Sequence, residues 1–140
     1  MATKEYNYAV GRRKENSAVI KLFPKGKGEF KTKLSSWKEI QLKEYFGGNS
    51  HLYENAIMPL LILGKDYVKQ FDAEITIKWW WTSGQSDAIK LAFARALVDW
   101  NTDFRLQLKP YWLLKRDPRI KERKKPGLKK ARKAPTWSKR

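Results

Sequence analysis

The side chains here that could do chemistry are cations, and those an enzyme needs are nearly absent. His51 is the only histidine, so it stands as the sole conventional base and a two-histidine metal site is excluded. Asp72, Glu74 and Asp87 are scattered along the chain and read as solvated faces, and no second titratable partner for His51 is visible. Cysteine is missing, which removes disulfides and thiolate metal sites. The glycine-containing run "PKGKGEF" lacks the spacing of a phosphate-binding loop and reads as a turn. Nothing here points to an enzyme, a cofactor or a small-molecule substrate.

The cations are another matter. Thirty-one Lys and Arg stand against 14 Asp and Glu in 140 residues, a formal +17. Self-repulsion on that scale works against compaction, so a polyanionic partner is expected, with nucleic acid first. A membrane surface is disfavoured, because no long basic amphipathic helix is present and "MPLLILG" is far too short to span a bilayer. The start "MATKEYNYAVGRR" lacks the apolar core of a signal peptide, which points to a soluble, intracellular protein.

Three stretches could hold phosphates. "GRRKENS" places Arg12, Arg13 and Lys14 just ahead of a strand, where guanidinium forks grip phosphate oxygens two at a time. "TSGQSDAIK" sets Ser83, Gly84 and Gln85 at a helix start, whose free amides favour anions; capping by Ser83 or Ser86 is the alternative. The third is the C-terminus. Residues 115–140 carry 13 basic and 2 acidic side chains, a net +11, whereas residues 1–114 carry 18 and 12, a net +6. With three prolines and almost no apolar periodicity, this segment is expected to be extended and to order only on a partner.

Positioning these cations falls to a compact α+β unit with a boundary near Pro110 to Leu114, so that residues 1–112 form the globular part and 113–140 the tail. "SAVIKLFPKGKGEFKTK" reads as a hairpin turning at Pro24 to Gly28. "SSWKEIQLKEYFGG" has near-helical spacing from Ile40 and stops at Gly47-Gly48. "NSHLYENAIMPLLILG" predicts a helix capped by Asn49 or Ser50, broken near Pro59 and ended at Gly64. "FDAEITIK" alternates Phe71, Ala73, Ile75 and Ile77 against polar residues, a half-buried strand. Ser86 to Trp100 follows the helical period, and "TDFRLQLK" adds a short helix closed by Pro110.

"YAVGRRKENSAVIKLFPKGKGEF", "LKEYFGG", "TSGQSDAIKLAFARALVDW" and "LLKRDPRIKERKKPGLKKARKAPTWSKR", in that order, resemble bacterial-type small-subunit ribosomal protein nine over most of the chain. The combination of GRRK, SGQ, RDPR, ERKK and a terminal SKR is specific, although each alone is weak. The resemblance implies an α+β fold with a small mixed sheet, packed helices and a left-handed β-α-β crossover. It implies residence in the head of the small ribosomal subunit, with rRNA, neighbouring ribosomal proteins and peptidyl-site tRNA as partners. By motif, Arg12, Arg13 and Lys14, Ser83 to Gln85, and Arg116, Arg119, Arg123, Lys124 and Lys125 would contact rRNA. Lys129, Lys130, Arg132 and Lys133 continue that set, and Ser138, Lys139 and Arg140 would reach the tRNA. Other readings are a protein cofactor of an RNA-processing ribonucleoprotein, which would not need the SKR tail, and a DNA-compacting protein, for which no dimerisation element is visible.

Trp79, Trp80 and Trp81 sit where a strand should turn into a helix, a place that normally wants small residues. Three indoles could stack on splayed bases, at about 1–3 kcal/mol each. The resemblance implies glycine at these positions and at Trp112, and a turn glycine at Trp37, whereas Trp100 and Trp137 fall at aromatic-tolerant positions. The pattern is that of UGA codons that mean glycine in one genetic code and tryptophan in another.

Overall fold

A computed structural model of the chain describes residues 6–33 and 38–139, so Trp37 and Arg140 fall outside the described residues. Five strands form one mixed sheet in the order β1-β2-β5-β3-β4. They are β1 (Asn7–Arg13), β2 (Asn16–Phe23), β3 (Phe30–Lys33), β4 (Glu39–Gln41) and β5 (Asp72–Lys78). The helices are α1 (Leu42–Tyr45), α2 (Ser50–Leu63), α3 (Lys65–Gln70), α4 (Thr82–Trp100) and α5 (Phe104–Leu108). The architecture is α+β, as the residue patterns predict.

The expected hairpin between β2 and β3 does not form. β5 lies between them, antiparallel to β2 and parallel to β3, so the chain crosses over through β4 and helices α1 to α3 before returning. Burial explains the insertion. β5 carries Ala73 and Ile75, both buried, and sits in register with buried Leu22 and Ile20 on one side and Phe30 on the other. The turn residues serve a different purpose. Asp72 Oδ1 accepts the backbone N–H of Lys27, Gly28 and Glu29 at 2.8, 2.9 and 2.8 Å, so the 24–29 loop wraps round the start of β5. Consecutive strands do pair antiparallel elsewhere: β3 with β4, and β1 with β2 in a hairpin closed by Lys14-Glu15, with Arg13 opposite Asn16 and Lys14 at φ 52.

Burial tends to raise the Asp72 pKa, but the three amides and nearby Lys31 hold it below its usual 3.8. A depressed carboxylate stabilises the fold fully above its unfolded pKa and loses that contribution as pH falls through the lower folded value. Asp72→Ala should cost about 1–2 kcal/mol at neutral pH and flatten the decline in stability below pH ~4. Urea midpoints measured across that pH range check both, and an unchanged acid limb would show that the loop is held by something else.

Helix α4 is the spine of the core. It starts four residues earlier than its apolar period predicts, and it lies across β1 and β2 with α2 packed against it. Ile89, Ala92, Phe93, Ala96 and Leu97 are buried along it, and Phe93 meets Phe30 edge-on at 5.4 Å. Each large side chain of this kind contributes about 1.5–3 kcal/mol by leaving water. Helix α2 is capped by Asn49, whose Oδ1 accepts the Leu52 amide at 3.3 Å, and ends at Gly64. It runs unbroken through Pro59, contrary to expectation. Ala56, Ile57, Pro59 and Leu60 are all buried there, and that packing offsets the lost backbone bond.

Two further local readings change. Ile40 belongs to β4, and helix follows only from Leu42 to Tyr45 before the left-handed pair Gly47-Gly48. Helix α3, with no buried residue, carries no apolar stripe to predict it from. Leu108 and Leu113 close the core. Described residues beyond Lys115 hold neither helix nor strand.

Candidate nucleic-acid interface

Arg12, Arg13 and Lys14 end β1 and enter its hairpin turn, where alternation sends neighbouring side chains to opposite faces. Arg12 and Lys14 are exposed, but Arg13 is turned inward with only 15 % of its side chain exposed. Its Nη2 lies 3.1 Å from Asp117, its Nε lies 3.5 Å from Asp87 on α4, and its Nη1 donates to the Arg119 carbonyl at 2.9 Å. One guanidinium thus ties the hairpin, the first turns of α4 and the root of the tail. Asp87, read as a solvated face, is one of the anchors.

The anions of this knot are kept ionised. Burial pushes the Asp87 pKa up, but the Asn55 amide, Lys90 and Arg13 together bring it below its usual value. Asp117 is held well below the carboxylate range, first by the Arg119 side chain, then by the Arg119 backbone N–H and by Arg13. The knot borders a cleft of about 470 Å³ lined by Arg12, Arg13, Lys90, Lys115, Arg116 and Arg119 against only Asp87 and Asp117. Sequence reasoning misses Lys90 and Lys115. Lys115 stands at the head of the basic run, whereas only the fold brings Lys90 alongside.

Replacing Arg13 by alanine leaves Asp87 and Asp117 without this shared counter-ion and frees the tail root. We expect a loss of roughly 2 kcal/mol, in the range for charge-assisted bonds, and faster tryptic cleavage at Arg116 and Arg119. Unchanged urea midpoints and cleavage rates would count against the tie.

The SGQ segment divides in two. Ser83 is exposed at the start of α4, whereas Gly84 and Gln85 are buried. A Cβ on Gly84 would collide with the side chain of Asn16, itself buried on the hairpin. Gln85 Oε1 accepts the Tyr45 hydroxyl at 2.9 Å and its Nε2 donates to the Trp79 carbonyl, so its amide is used inside the fold. Neither serine caps the helix. Its N-cap is Trp81, without a side-chain cap, while Ser86 Oγ donates to the Leu52 carbonyl at 2.8 Å and accepts from Asn55.

Along the tail, Arg116, Arg119, Arg123, Lys124, Lys125, Lys129, Lys130, Arg132 and Lys133 are all exposed, as are Ser138 and Lys139. The tail's second carboxylate, Glu122, pairs with Lys125 at 3.0 Å and Arg132 at 2.8 Å. Such exposed pairs are weak and screened by salt, so phosphates can displace them. His51 is exposed on α2. Among the described residues no helix is long and apolar enough to cross a membrane.

Residues 11–140 match a family model described as "Ribosomal protein S9/S16". Similar curated proteins include "Small ribosomal subunit protein uS9" of Mycoplasma mobile, 43 % identical over 94 % of both chains. "Small ribosomal subunit protein uS9c" of Emiliania huxleyi is 44 % identical over the whole of both. "Small ribosomal subunit protein uS9" of Thermus thermophilus is 45 % identical over 97 % of this chain and 99 % of its own. On the match over residues 11–140 and these near-full-length relatives, the chain belongs to the ribosomal protein S9/S16 family.

Proposed function

We propose that this protein holds rRNA in the head of the small ribosomal subunit and contacts peptidyl-site tRNA through the end of its tail. The observation that carries the reading is the tail itself, ten exposed cations from Arg116 to Lys133 in a segment without helix or strand. Phosphate contacts made by such side chains position a protein and carry little sequence information, which suits an RNA already folded by its own pairing. Arg12 and Lys14 extend the cationic surface from the hairpin, Ser83 adds a hydroxyl at the start of α4, and Arg13 keeps the tail root beside them. Gly84 and Gln85 contribute by shaping that helix start from within. Ser138, Lys139 and Arg140 lie farthest along the tail and are assigned to the tRNA. The work is structural, with no bond made or broken.

The division of labour is tested by removing Thr136 to Arg140. Most of the tail's basic residues precede that point, so assembly of small subunits should survive while retention of peptidyl-site tRNA weakens. Gradient sedimentation reads the first and tRNA filter binding the second. Particles that fail to assemble without these five residues would refute the assignment.

A further inference from the structure

Among the described residues, eight have a positive φ, and only three of those are not glycine: Lys14, Trp79 and Trp112. Lys14 sits in the two-residue turn of a hairpin, where such angles are required. The tryptophans have no comparable excuse. Trp79 at φ 82 falls between Gly48 at 78 and Gly28 at 90, and Trp112 at 57 lies beside Gly47 at 61. For a bulky L side chain this region is an outlier, whereas glycine enters it freely.

Trp80 and Trp81 do not share the positive φ, and the case there rests on position and exposure. Trp112 follows the 3-10 turn Lys109–Tyr111 in left-handed conformation, with its N–H donating to the Lys109 carbonyl at 3.2 Å, the place where glycine commonly ends a helical turn. Trp81 is the N-cap of α4, a position glycine fills well and large side chains fill badly. At Trp79 the fold holds the backbone carbonyl, through Gln85, while the indole is 56 % exposed. Trp80, Trp81 and Trp112 are 77, 65 and 77 % exposed. Trp100 is the contrast: its ring packs edge-on to Phe71 at 5.1 Å and against Phe104 at 5.6 Å, on ordinary helical backbone. Trp137 is exposed in the tail without a positive φ.

We infer that residues 79, 80, 81 and 112 are encoded by UGA, and that the source of this gene decodes UGA as glycine. Its ribosomes therefore carry this protein with glycine at those four positions and tryptophan at 100 and 137. The UGA codon alone links the two residues, since some genetic codes assign it to tryptophan and others to glycine. The inference commits the source to a decoding partner, a glycine-charged tRNA whose anticodon pairs with UGA. It also alters the surface beside the cationic cleft. Trp81 overhangs a hollow shared with Lys14, Ser83 and Lys121, and its loss leaves bare backbone leading into α4.

Peptide sequencing by mass spectrometry of the protein taken from native small subunits, set beside its coding sequence, tests this. Glycine at 79, 80, 81 and 112 from UGA codons, with tryptophan at 100 and 137 from UGG, is the expected result. Any residue other than glycine at any of the four overturns the inference, as does UGA at 100 or 137.

Discussion

A chain ending at Leu114 is expected to lose stable binding to small-subunit rRNA at physiological salt. The truncation removes 13 cations and two carboxylates, leaving a net +6 in place of +17. Each phosphate neutralised releases counter-ions, and six to ten such contacts weaken binding by about 10³ to 10⁵ between 50 and 200 mM salt. With most contacts assigned to the exposed tail, affinity should fall and the salt slope should flatten together. The core should survive, because Leu108 and Leu113 remain and, among the described residues, the ion pair and hydrogen bond lost are those of Arg13. Anisotropy titrations at several salt concentrations read the slope, and circular dichroism confirms the fold. A truncated protein with native affinity and slope would place the interface on the globular part.

Gly11→Ala is expected to be the most damaging single methyl in the molecule. Gly11 lies in β1 against α4, and a Cβ there would collide with the Ala88 carbonyl oxygen and come within 2.7 Å of the Ala92 nitrogen. Both are helix backbone, so no rotamer change relieves the clash. The helix must lift off the strand, although Arg95 on α4 also ties itself to the Val10 carbonyl at 2.8 Å. Overpacking of this kind costs about 3 kcal/mol or more, against a total stability of only ~5–15 kcal/mol for a typical domain. Gly47→Ala is the comparison. Open space surrounds it, and only its φ of 61 opposes a side chain, at roughly 1–2 kcal/mol. Equal urea midpoints for the two variants would contradict the close packing of β1 on α4.

Some of this is legible in the residues. β5 announces itself because Phe71, Ala73, Ile75 and Ile77 alternate without a break, and α4 because its apolar positions keep the helical period to Trp100. Pairing is not legible. Successive strands usually neighbour each other, and nothing near Pro24 reveals that Asp72, more than forty residues on, will collect the loop's amides. The site shows the same division. Exposed cations such as Arg12, Lys14 and those of the tail can be read from charge alone. Arg13 looks identical in "GRRK", yet its partners Asp87 and Asp117 lie far along the chain, and only the fold turns it inward. Gln85 reads as a polar residue at a helix start, and its hydrogen bonds to Tyr45 and Trp79 decide otherwise.

If hairpin and tail both grip phosphates as proposed, the Arg13 knot bears on how the protein would leave an RNA as well as how it arrives. By fixing the tail root beside Arg12 and Lys90, it makes hairpin and tail two ligands joined by almost no linker. Once either is bound, the other faces its phosphates at a local concentration in the millimolar range or above. Escape then requires both to let go within the short interval before one rebinds. Avidity of this kind lengthens residence far more than it speeds encounter, so a protein whose individual contacts each dissolve easily in salt can still exchange slowly from an assembled particle.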